Sequence, residues 1–346
     1  MRVLLTGALG YVGSAINYTL TRQGYEVVGL DAGFFPETCF YREDIWHARA
    51  EMKRLIRKDI RDISEDDLRG CDAVVDFAGL ANDPSGELNP VWTDDINHQA
   101  CVMLAKWAKK KGISRYIFAS SCSVYGARGE SILTEESPVE PVSAYAKAKV
   151  ATERDVRLLA DRHFFPTFLR NATAFGASPR MRFDLVVNNL AAYGYTTGHV
   201  KILSDGTAWR PNVHIEDIAL AVLACLESPS EEIGGDTLNV GRDSENHQVR
   251  ELAALVSEGL GNCKVEVAKM AGKDPRSYRV SFSRISKLRN YRPQWSVEKG
   301  IRELKDSFEA NRLTYEMFQS MDYHNVMRMQ HLISAGKLDG TLRFNN

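Results

Sequence analysis

Six short apolar runs dominate the first half of the chain: RVLLT (2–6), YEVVGLD (25–31), RLIRKD (54–59), AVVDFAG (73–79), RYIFASS (115–121) and TFLRNA (167–172). Each is continuous rather than alternating, as a strand buried on both faces must be, and a helix-length segment separates each from the next. Strands joined by helical crossovers lie parallel. The pattern predicts an α/β chain built on a doubly wound parallel sheet. From about Asn171 it loosens into a mixed region, with a helix near Phe183–Tyr193, the run HVKIL (199–203), a helix after Ile215, the strand-like TLNVG (237–241), and helices around Gln248–Leu260 and Val297–Ala310. The expected organisation is a doubly wound domain over 1–170, to which segments within about 212–243 return, a smaller mixed α/β substrate-binding domain over 171–310, and a helical C-terminal extension over 311–346.

Charge and cysteine usage narrow the partners. The formal net charge is −1 and no long basic run occurs, which argues against nucleic acid or an anionic membrane surface and for a small-molecule ligand. Six cysteines are scattered without a CxxC pair, so neither a metal site nor a disulfide framework is expected. No stretch approaches 18 apolar residues and MRVLLTGALGYVGSA lacks an export signal's apolar core, which points to a cytoplasmic protein.

Directly after the first run, TGALGYVGSA places Gly7, Gly10 and Gly13 in a GxxGxxG spacing, with Tyr11 and Val12 between them, and opens a helix. A tight turn, a close backbone approach and a helix N-terminus with free amides are what a dinucleotide's pyrophosphate requires. Asp31 ends the second run where a carboxylate can accept from both hydroxyls of an adenosine ribose. It would repel a 2′-phosphate, and no arginine follows in DAGFF, so NAD is expected rather than NADP. Asp59 and Ile60 after the third run, and Ala78, Gly79 and Ala81 after the fourth, fall at carboxyl ends of strands, where a doubly wound sheet lines its ligand crevice.

SAYAKAK (143–149) sets Tyr145 and Lys149 one helical turn apart, a spacing that an ordinary amphipathic helix also satisfies. With GALGYVG, Asp31, Asp59-Ile60, FASSCSVYG and YAKAK in this order, the chain resembles the extended short-chain dehydrogenase/reductases over roughly residues 1–310. Within them it resembles the nucleotide-sugar epimerases, dehydratases, decarboxylases and reductases. The resemblance implies a Rossmann fold, bound NAD and a nucleotide-diphosphate sugar substrate. Tyr145 would be the catalytic base and acid, Lys149 the residue that lowers its pKa and holds the nicotinamide ribose, and Ser121 the partner of the reacting oxygen. A free phenol titrates near pH 10, so positive charge beside it is what makes it a usable base.

The resemblance also discriminates among reactions. Family dehydratases carry an Asp-Glu pair where this chain has Cys122 and Ser123, and decarboxylases a glutamate at the Ser123 position. What remains is the machinery of a 4-epimerase. A C4 ketoreductase uses the same residues, and a non-catalytic dinucleotide sensor is a remote alternative. Substrate contacts implied are Ser123, Thr173 (where the family's asparagine usually stands), Asn189, Arg210 and Arg276, the arginines suiting a diphosphate. His214, just before a helix, is read as structural. Family members commonly dimerise through the helix near Asn97–Lys111 and the YxxxK helix. Val102, Leu104 and Trp107 are candidates for that face or equally for the chain's own core.

Overall fold

The computed structural model describes residues 1–35, 52–129, 131–268 and 277–345, and Arg276 lies outside them. Seven parallel strands form the central sheet: β1 (Arg2–Thr6), β2 (Glu26–Asp31), β3 (Arg54–Arg57), β4 (Ala73–Asp76), β5 (Arg115–Ser121), β6 (Phe165–Asn171) and β7 (Thr237–Val240). Their spatial order is β7-β6-β5-β4-β1-β2-β3. The six apolar runs supply the first six strands. The seventh comes back from the later part of the chain to pair with β6, Thr237 opposite Phe168. Strand order reverses between β1 and β4, whose Thr6 and Asp76 are register partners, and connections diverge there to leave a crevice at the carboxyl ends.

Alternation within each strand feeds two cores. Val3 and Leu5 of β1 pack with Ala15 and Ile16 of α1 (Tyr11–Arg22), whereas Leu4 between them faces Leu104 and Ala108 of α2 (Ala100–Lys110) and Val156 of α3 (Ala144–Arg157). The first core continues without a break into the later helices α4 (Val186–Thr197), α5 (Ile215–Glu227), α6 (Val249–Gly259) and α7 (Val297–Ala310). Three further small sheets carry the crevice wall, chief among them the strands Thr173–Phe175, Trp209–His214 and Asn246–Gln248. Val102 and Leu104 are buried within the chain itself, which assigns them to its own core.

Residues beyond 310 are packed onto the sheet domain. Met329 and Leu332 of α8 (Asn325–Ser334), with Leu338 and Leu342, are buried beside Ile60, Leu68 and Leu80. Arg61 donates to the carbonyls of Thr341 at 2.6 Å and Leu342 at 3.0 Å, and Phe344 lies on Phe34 with ring centroids 5.4 Å apart. Among the described residues no helix is long and apolar enough to cross a membrane, no His/Cys/Asp/Glu cluster could hold a metal, and the described cysteines are free.

Candidate active site

A cavity of about 950 Å³ opens at the reversal point of the sheet. Its floor is the glycine-rich turn, with Gly7, Gly10, Tyr11, Val12 and Gly13. Gly7 has φ +66°, and a Cβ on it would come within 2.8 Å of the Phe77 carbonyl oxygen, while a Cβ on Gly13 would run into the carbonyl of Gly7. Only glycine lets strand, turn and helix close this tightly. Gly10 caps α1 in an extended conformation, no side chain caps that helix, and its first turn carries no acid, so the leading amides remain available to an anion.

Asp31, Asp59, Ile60, Ala78, Gly79 and Ala81 line the same cavity. The Asp31 carboxylate accepts from the Leu9 amide at 3.0 Å and the Gly33 amide at 2.8 Å. Burial pushes its pKa up, and the two amides, Arg57 and Arg180 oppose that rise. Asp59 pairs with Arg61 at 2.7 Å. Behind Gly79, Asn97 grips Leu80, accepting from its amide at 2.7 Å and donating to its carbonyl at 3.0 Å. Asn97 belongs to a π-helical turn, Asp95–Gln99, that leads into α2, an irregularity often found at functional sites.

The far end of the cavity gathers Ser121, Ser123, Tyr145 and Lys149. Ser121 ends β5 and its hydroxyl accepts from the Ser123 amide at 3.2 Å. Ser143 caps α3, accepting from the Ala146 amide at 3.1 Å and donating to Asp83 at 2.5 Å, so Tyr145 and Lys149 sit on its first two turns. Burial pushes the Tyr145 phenol up to about 12; Ser121 draws it down, Asp83 raises it, and Arg182 lowers it. The Lys149 ammonium lies 4.6 Å from the Phe118 ring centroid and 5.7 Å from that of Tyr145, against the ring faces, and burial lowers its pKa.

Beneath this corner, Glu153 of α3 receives two bonds from Arg170 of β6, at 3.0 and 2.7 Å, and one from the Ser120 hydroxyl. Arg170 donates at 3.0 Å to the Tyr125 hydroxyl, which donates at 2.7 Å to Asn239. The network ties the YxxxK helix to β5, β6 and β7. Cys122 is buried, donates its thiol to the Arg170 carbonyl at 3.1 Å, and has its pKa pushed up by burial. It is packing, not an acid at the cavity.

Opposite stands a wall made by the later part of the chain. Thr173, Asn189 and Arg210 line it, the Asn189 amide donating to Phe183 O at 2.8 Å and Arg210 to Trp209 O at 2.8 Å. His214 caps α5 through the Glu216 amide at 3.2 Å, meets Glu303 at 2.8 Å and stacks on Trp295 at 3.9 Å, a structural role. The sequence reading missed the segment Arg180-Met181-Arg182-Phe183-Asp184. Arg182 holds Asp184 at 2.8 and 2.9 Å, and Asn82 donates to the same carboxylate at 3.1 Å. Its signal was three charges alternating with bulky apolar residues, which a buried ion pair explains.

Residues 3–241, well over half of the chain, match the NAD dependent epimerase/dehydratase family. The chain belongs to that family. It is therefore an enzyme of an NAD-dependent class, on the Rossmann-like fold described above. Among curated relatives, it is 26% identical over 336 residues to UDP-glucose 4-epimerase of Bacillus subtilis (strain 168), covering 88% of this chain and 94% of that protein. It is also 26% identical over 321 residues to the low-salt glycan biosynthesis protein Agl12 of Haloferax volcanii, covering 89% and 98%. Similar solved structures include MoeE5 in complex with UDP-glucuronic acid and NAD (TM-score 0.77, 24% identity, 90% of this chain and 100% of that one). Another is the UDP-glucuronic acid 4-epimerase of Bacillus cereus in complex with UDP-glucuronic acid and NAD (TM-score 0.74, 23% identity, 90% and 100%). At these identities the structural matches speak for the fold.

Proposed function

We propose that the protein is a nucleotide-sugar 4-epimerase. The observation that carries this reading is the convergence of Ser121, Tyr145 and Lys149 at one end of a cavity that, among the described residues, offers no second acid–base pair beside them. The carboxylates lining it are engaged: Asp31 with two amides, Asp59 with Arg61, Asp83 with Ser143 and Asp184 with Arg182. Eliminating water from a sugar needs a further acid and base, and Cys122 and Ser123 provide neither. The curated relatives, with UDP-glucose 4-epimerase of Bacillus subtilis among them, support the same class.

The cleft's residues fit NAD. The glycine turn and the uncapped α1 N-terminus would hold its pyrophosphate, Asp31 its adenosine ribose, Asp59 and Ile60 its adenine, and Lys149 the nicotinamide ribose. NAD supplies a hydride acceptor and donor. Tyr145 takes the proton from the sugar's C4 hydroxyl, Ser121 holds that oxygen, and the resulting keto-sugar turns within the cavity. Tyr145 would then return the proton to the same oxygen, the hydride for the opposite face being what NAD would supply when bound. Because burial holds the phenol near 12, positive charge beside it, including Arg182, is what brings the proton transfer within reach. Thr173, Asn189 and Arg210, with Arg276, form the proposed substrate side.

The test is to release and identify the cofactor from purified protein, then incubate the protein with UDP-, GDP-, CDP- and dTDP-sugars while following reduced-nicotinamide absorbance. Isomerised sugar with no net absorbance change is the expected result. Activity that appears only with added reduced cofactor and a keto-sugar would make the enzyme a ketoreductase and overturn the reading.

A further inference from the structure

Arg180 is a buried cation with no carboxylate partner among the described residues. It is 2% exposed; Nη1 donates to the Met181 carbonyl, Nη2 donates to Asn325 Oδ1 of α8 at 2.8 Å, and Nε has no partner. Its guanidinium lies 4.6 Å from the Phe35 ring centroid. The acids around it are committed elsewhere: Asp184 to Arg182, Asp322 to Arg328 at 3.3 Å, and Asp31 to two backbone amides. Burial, with Arg182 beside it, pushes its pKa down to about 9. A desolvated charge left without a counter-charge is costly, so such a site is built to receive an anion.

Its position says which anion. Arg180 lines the cavity, and its backbone amide donates at 3.3 Å to the Ser178 hydroxyl, which in turn donates at 2.9 Å to the carbonyl of Tyr11, the first residue of α1. A second stitch runs from the Tyr11 hydroxyl to Gly176 O at 2.7 Å. The loop carrying Arg180 is thus fastened to the helix start that closes the glycine-rich turn, and Arg180 is among the charges acting on Asp31. Two anion-seeking features, an uncapped helix N-terminus and a guanidinium with no carboxylate partner among the described residues, line the same cavity.

We propose that Arg180 is a cofactor-binding residue whose guanidinium, held by Asn325 of α8, takes the diphosphate of the dinucleotide. This rests on reading the glycine-rich turn as the diphosphate cradle. Among the described residues the charge of Arg180 is then answered by the ligand, and α8 acquires a role in cofactor binding through Asn325.

The experiment measures binding of NAD, ADP-ribose, adenosine and UDP to cofactor-stripped full-length protein by calorimetry. Arg180→Met is expected to weaken NAD and ADP-ribose by about 10–100-fold, as loss of charge-assisted bonds implies, while adenosine, which lacks the diphosphate, binds as before. Asn325→Asp places a carboxylate against the guanidinium; it should raise the melting temperature of the stripped protein and weaken NAD. Should Arg180→Met not fold, Asn325→Asp alone decides, and unchanged NAD affinity there overturns the proposal. ADP-ribose binding to Arg180→Met as tightly as to wild type overturns it, as does a loss confined to UDP, which would give Arg180 to the substrate's diphosphate. Failure of the wild-type protein to bind NAD at all would instead remove the cradle reading beneath it.

Discussion

Arg170 and Arg180 are both buried, stand ten positions apart in sequence, and are opposite kinds of residue. Arg170 is enclosed by partners: Glu153 takes two of its bonds, the Tyr125 hydroxyl a third, and the Tyr125 ring lies 5.0 Å away. Against burial, which alone would lower it, Glu153 holds the Arg170 pKa well above its ordinary value. Arg180 has one amide oxygen, one carbonyl and an idle Nε, and its pKa is pushed down. A buried charge that is fully answered serves the framework, whereas one left in deficit among the described residues is costly unless a ligand answers it, as proposed for Arg180. In a cleft crowded with charged side chains, the deficit is the informative quantity.

The contrast can be broken in stages. The largest effect is expected from Arg170→Met, which strands Glu153 in the interior and should cost about 3–5 kcal/mol of stability. Chemical denaturation measures it, and a loss below about 1 kcal/mol would mean the pair is not framework. Next, Tyr145→Phe should cut turnover by about 10²–10⁴-fold while cofactor stays bound, since the corner is held by Glu153 and Arg170 rather than by the phenol. Third, Asp31→Asn should weaken NAD by about tenfold in a titration, because the carboxylate is kept for the ribose despite the burial that opposes its charge.

A finer test concerns Arg182. The rate constant kcat/KM should rise with pH as the Tyr145 proton becomes easier to remove. Arg182→Met, which also unpairs Asp184, should move that rising limb to higher pH by roughly half a unit to one unit. An unmoved profile would place Arg182 with the framework. The smallest effect is expected from Cys122→Ala, with turnover within about twofold of wild type, as a buried thiol bonded to a backbone carbonyl implies.

Much of this was legible beforehand because it rests on backbone geometry. Strands buried on both faces must be continuously apolar, and a turn that admits no Cβ must be glycine, so β1 to β6 and the turn from Gly7 to Gly13 could be read directly. Ser121, Tyr145 and Lys149 were readable from spacing and resemblance, though the lysine lies against ring faces while Arg182, a residue the sequence reading passed over, acts on the phenol. Arg180, Asp184 and Asn325 were not legible. Whether an arginine is answered or idle depends on partners distant in sequence, such as Asn325, 145 positions from Arg180. DAGFF holds no arginine, yet folding brings Arg57 and Arg180 to bear on Asp31, a contribution no local window contains.

The bonds from Arg61 to the carbonyls of Thr341 and Leu342 span 280 and 281 residues. Synthesis runs from the N-terminus, so the wall of the cleft at Asp59–Arg61 is made long before the residues that back it. At about 5–20 residues per second the interval is on the order of tens of seconds. During that time the glycine turn and Asp31 already exist on a nascent chain whose cleft still lacks its backing. The cleft is therefore completed late, since the carbonyls that hold Arg61 and the Asn325 amide oxygen that holds Arg180 are both supplied by residues made after the sheet is in place.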